Sequence, residues 1–75
     1  MSMTTGFRRA ADDTYQLYLS RLTHGRGSHS DLLHDLQLSL DGILTASIWL
    51  SDYYKDTSQI ERHNQKLIDK FQRIA

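Results

Sequence analysis

Seventy-five residues allow one small domain, in which a single core stabilises the fold by only roughly 3–5 kcal/mol. The absence of cysteine excludes disulfides and thiolate metal sites, so a partner subunit becomes the favoured way of reinforcing so small a scaffold. Nine basic and nine acidic residues cancel, which removes the long-range field that drives non-specific attraction to nucleic acid or to anionic membrane.

The distribution of charge is less even than its sum. Residues 1–26 hold four Arg and two Asp, residues 27–56 one Lys and five Asp, and residues 57–75 four basic and two acidic side chains. Segment charges of +2, −4 and +2 result, an acidic middle between mildly basic ends. The economical expectation is that the ends fold back on the middle. No run approaches the roughly 18 to 20 apolar residues of a membrane span. Residues 1–6 lack the charged start and apolar core of a secretory signal, which leaves a cytoplasmic setting as the default expectation.

In chain order, residues 1–6 read as a loose tail. Phe7, Ala11, Tyr15, Tyr18 and Leu22 then recur at helical spacing and predict a first helix over 7–24. Arg8 and Arg9 would oppose the helix dipole in a first turn, whereas Asp12 or Asp13 would favour it, so its start is poorly signalled. Its end is clear: Arg21 and His24 occupy the last turn, and Gly25 stands at the left-handed cap position, opening a Gly25–Gly27 loop.

Ser28 and Asp31 have the spacing of a capping box, with Ser30 as a rival N-cap, and start a predicted central helix over 28–55, about 40 Å long at 1.5 Å per residue. Its expected inner ladder is Leu33, Leu36, Leu40, Ile43, Ser47, Leu50 and Tyr54, an a/d pattern like that of a coiled coil. Asp31, Asp35, Asp41, Asp52 and Asp56 fall on the other side. So do Leu38, Ile48 and Trp49, which makes the helix apolar on two faces and in want of two neighbours. On the second stripe, Leu38, Gly42, Thr45, Trp49, small residues between large ones invite close approach of another helix.

A new ladder follows at Ile60, Asn64, Leu67, Phe71 and Ile74. Ser58 and Glu61 match a capping box, so a tight turn into a third helix over 58–74 is expected, with a single long helix as the alternative. The fold class is all-α, an antiparallel helical hairpin or small three-helix bundle with a long central helix, forming one domain over 1–75.

Candidate chemistry is sparse. His24, His29, His34 and His63 do not share the i, i+4 geometry of a zinc site, and no metal or other cofactor is expected. Ser28, His29, Ser30 and Asp31 contain hydrolytic residue types, but four neighbours at a helix start cannot be relayed, and capping accounts for them. Gly25–Gly27 lacks the Lys and the preceding strand of a phosphate loop. The chain is therefore not expected to be an enzyme.

Trp49, Tyr53 and Tyr54 are residue types that anchor interfaces. The function expected is a small helical protein–protein interaction module, an adaptor, co-chaperone, regulator or assembly subunit that self-associates or takes a helical protein partner. Leu38, Ile48, Trp49 and Tyr53 are its candidate contacts. The alternative is a nucleic-acid-binding regulator using Arg62, Lys66, Lys70 and Arg73, a basic stripe on the third helix to which Arg8, Arg9 and Arg26 could add. It ranks second, because solvation or pairing with Asp52 and Asp56 explains the stripe equally well. No motif identifies a family.

Overall fold

The computed structural model describes the backbone of residues 3–50 and 54–74 and the side chains of residues 5–50 and 57–74. Three helices of nearly equal length, α1 (Met3–Thr23), α2 (His29–Leu50) and α3 (Tyr54–Ile74), each pack against the other two. They form an elongated bundle of 39 × 17 × 16 Å.

Amphipathic spacing explains the bundle. Ala11, Tyr15 and Tyr18 of α1, Leu32, Leu36 and Leu40 of α2, and Leu67 and Phe71 of α3 are buried in one cluster, bordered by Leu19, Leu22, Leu33, Ile43 and Ile68. The Tyr15 and Phe71 rings meet edge to face at 6.4 Å, and His29 stacks on Phe71 at 4.8 Å. Tyr18 satisfies its hydroxyl against Ser39 at 3.2 Å, so the ring is buried without stranding its polar tip. Towards the C-terminal end of α2 two polar side chains, Ser47 and Asn64, are buried along with Ile60. Ser47 donates to the Leu44 carbonyl at 2.6 Å, and the buried Asn64 amide donates to the Leu40 carbonyl at 3.2 Å.

The connection between α1 and α2 follows its glycines. The Arg26 N–H donates to the Arg21 carbonyl at 2.9 Å and the Gly25 N–H to the Leu22 carbonyl at 3.1 Å, the two bonds of a Schellman cap. Gly25 holds φ at +68°, where a Cβ would be strained. Ser28 then accepts from the Asp31 N–H at 3.2 Å and caps α2 as its spacing predicts.

Several boundaries depart from the sequence reading. The first helix starts at Met3, so much of the expected tail over 1–6 is helical. This start moves Arg8 and Arg9 out of the first turn, past the range of the dipole penalty that argued for a later one. The central helix runs over His29–Leu50, and α3 begins at Tyr54. The expected 55–58 turn and Ser58 therefore fall inside α3, and residues 51–53 lie outside the described residues. No Gly or Pro fixes a break near Thr57 and Ser58, so their capping residue types alone did not place one there.

The inner ladder is also revised. Leu36, Leu40 and Ser47 are buried and Leu33 and Ile43 half-buried, but Leu32 is buried as well and Leu50 is exposed. An a/d seam suits one neighbour. Facing both α1 and α3, α2 needs a wider apolar arc, and Leu32 belongs to that arc.

Candidate interaction surface

Leu38, Gly42, Thr45 and Trp49 fall within an arc of about 60° at 3.6 residues per turn, roughly opposite Leu36, Leu40 and Ser47. The core that α1 and α3 complete lies on the latter side, so the outer stripe is left uncovered. Trp49 is 82% exposed, Leu38 58%, and Ile48, on the flank beside Asp41, 48%. Leu50, at the end of the same helix, is 65% exposed. Gly42 is exposed, and a Cβ built on it would meet nothing within 4 Å. Of the expected contact residues, Leu38, Ile48 and Trp49 thus share one uncovered side of α2, and Tyr53 lies outside the described residues. Leu50, assigned to the ladder from its spacing, adds to the exposed apolar end instead.

The polar surroundings are one-sided. Helix α2 carries Asp31, Asp35 and Asp41, all exposed, and neither Lys nor Arg. These acids form no ion pair among the described residues. Their pairing with the basic ends, expected from charge alone, is replaced by a contact between α1 and α3, His63 Nε2 to Asp12 Oδ1 at 2.6 Å. Because α2 lies antiparallel between them in sequence, α1 and α3 run in the same direction, which brings the first turns of α1 beside those of α3. The partners once expected for the basic stripe, Asp52 and the Asp56 side chain, are outside the described residues.

Arg62, Lys66, Lys70 and Arg73 are all exposed on α3. Arg62 and Lys66 line a shallow recess with Gln59, His63 and Arg8. Lys70 and Arg73 continue along the helix beyond it. Of the three arginines expected to add to the stripe, Arg8 lies beside Arg62 and Lys66. Its spacing, three residues before Ala11 and seven before Tyr15, puts it on the inward side of α1. Asp69 and Glu61 interrupt the positive surface, and Asp69 accepts from the Gln65 amide at 3.0 Å.

The four histidines have separate surroundings. His24 Nδ1 lies 2.7 Å from the Ser20 carbonyl, His29 stacks on Phe71, His34 is exposed, and His63 meets Asp12. Among the described residues no three His, Asp or Glu side chains are grouped to hold a metal ion. Ser28 and Asp31 are engaged in the cap, as their positions implied. No helix among the described residues is long and apolar enough to cross a membrane.

Fold and surface together define a small all-α three-helix bundle with an apolar stripe on the outer side of its second helix. No protein-family model, curated protein or solved structure matches the chain.

Proposed function

We propose that the chain is a small helical protein–protein interaction module that self-associates through the outer side of α2. The supporting observation is the exposure of Trp49, Leu38 and Ile48 on a helix whose other side is already buried. Isolated exposed apolar residues are ordinary, but a Trp and two aliphatic residues left exposed on the outer half of one helix are residue types and a placement that favour a contact. A core that contributes only roughly 3–5 kcal/mol gives such a chain a further use for a partner, since binding to the native state alone stabilises it.

Sedimentation analysis tests the proposal. The chain should populate a species larger than a monomer, and Leu38→Asp or Trp49→Ala should shift it towards monomer while leaving the helical circular dichroism unchanged. A wild-type chain that stays monomeric at every concentration would rule the function out.

The second reading is recognition of a nucleic acid backbone by Arg62, Lys66, Lys70 and Arg73, favoured by the placement of Arg8 beside Arg62 and Lys66. It requires binding that weakens steeply with salt and is abolished by Lys66→Glu with Lys70→Glu. It ranks second because the stripe is interrupted by acids and the chain as a whole is neutral.

A further inference from the structure

The occupant of the α2 outer stripe is specified by the order of residues along it. Leu38 to Gly42 is four residues, Gly42 to Thr45 three, and Thr45 to Trp49 four. This spacing reads the same in both directions, with large side chains outside and small ones inside. Two such stripes laid antiparallel are complementary: Leu38 of each copy meets Trp49 of the other, and Gly42 of each meets Thr45 of the other. We propose that the chain forms a two-fold symmetric dimer in which α2 pairs antiparallel with α2 of a second copy, centred between Ile43 and Leu44. The dimer specifies the partner and the register of the self-association proposed above, and it rests on that function.

Three further features favour a second copy in this orientation. Closed two-fold contacts are isologous, each using the same patch twice, and a palindromic stripe is such a patch. A parallel pair would set Asp41 against its own copy within the contact, with no Lys or Arg on α2 to relieve it. In the antiparallel pair Asp41 instead stands beside Ala46 of the second copy. The neutral net charge means that two copies do not repel one another as wholes.

Packing at the centre is permitted by what is absent there. Gly42 has no side chain and open space above it, and Thr45 is exposed. The rows at four-residue spacing, Leu38–Gly42–Ala46 and Asp41–Thr45–Trp49, favour helices crossing at roughly −50°. At that angle the ends diverge, carrying Asp31 and Asp35 away from the partner helix. The contact is then limited to about 16 Å of helix at 1.5 Å per residue, less than the roughly 800 Å² per partner of a standard stable interface. A weak dimer with dissociation in the micromolar range or above is expected.

The test combines sedimentation with a distance measurement on the full chain. A nitroxide label on His34→Cys, the only thiol in the chain, sits on an exposed residue outside the central contact. The antiparallel dimer puts the two labels about 28 Å apart from the helical rise, whereas a parallel one brings them within about 20 Å. Gly42→Leu should weaken association at least tenfold without lowering helicity, because a Cβ at this exposed position meets nothing within 4 Å in its own subunit and Leu favours the helix over Gly. A monomeric wild-type chain overturns both the dimer and the function above it. A dimer with the short label distance, or one indifferent to Gly42→Leu and Trp49→Ala, overturns the antiparallel pairing and leaves self-association standing.

Discussion

The inner and outer sides of α2 contain similar apolar residues with opposite fates. Leu36 and Leu40 on the inner side are completely buried, while Leu38 and Trp49 on the outer side are mostly exposed. Composition does not distinguish them. The difference lies in what the loops deliver: the Gly25 cap returns α2 against α1, and α3 closes over that same side, so the inner residues gain neighbours and the outer ones gain none. Hydrophobicity thus states a demand for cover, and tertiary placement decides which demands are met within one chain.

The comparison is broken most severely from the inside. Phe71→Ala removes a fully buried ring that packs against Tyr15 and His29, a loss of about 3–5 kcal/mol. That equals the roughly 3–5 kcal/mol available to a fold of this size, so urea denaturation should show no cooperative transition at 25 °C. Trp49→Ala, of similar bulk, should change the stability of the monomer by less than about 0.5 kcal/mol, its effect appearing instead as a tenfold or greater loss of association. Equal destabilisation by the two substitutions would show that Trp49 is covered within its own subunit.

Smaller effects sharpen the same contrast. Gly25→Ala puts a side chain on a left-handed cap and should cost about 1–2 kcal/mol, measured as a lower denaturation midpoint, because the cap sets how α2 returns to α1. His63→Ala should cost no more than about 1 kcal/mol, since its partner Asp12 is half-exposed and the pair is screened. A loss well beyond that would mean that polar contacts between α1 and α3, and not the apolar interior, hold the third helix over the inner side of α2.

Much of the inner side was legible from the chain. Tyr15 and Tyr18, Leu36 and Leu40, and Leu67 and Phe71 are named by helical spacing, and each is buried. Leu32 escaped because a single a/d seam was assumed for a helix that has two neighbours. Leu50 was misplaced because a ladder carries no information about where the covering helix stops. The turn expected at 55–58 was misplaced for a local reason: without Gly or Pro, a capping residue such as Ser58 does not by itself end a helix, and it lies inside α3. On the outer side, Leu38, Ile48 and Trp49 were identifiable from their position opposite the ladder, and the palindrome in their stripe was present in the spacing all along. Arg8, Arg9 and Arg26 were equal candidates to extend the basic stripe, and only packing selected Arg8, because its neighbours belong to a helix more than fifty residues away in the chain.

The sequence by itself determined three amphipathic helical ladders, the second of them on a helix apolar on two sides, a glycine cap after the first and a serine cap before the second, while leaving open whether the last two ladders belong to one helix. These are properties of periodicity and backbone conformation, which act over a few residues and need no distant partner. Only the tertiary structure decided that α3 covers the ladder side of α2, that Asp12 pairs with His63 while the acids of α2 stay in solvent, and that Leu38, Gly42, Thr45 and Trp49 remain open. The physical reason is that burial and pairing depend on which surfaces meet, and in a chain of three short helices that choice is made by loop geometry and the volume of the shared core.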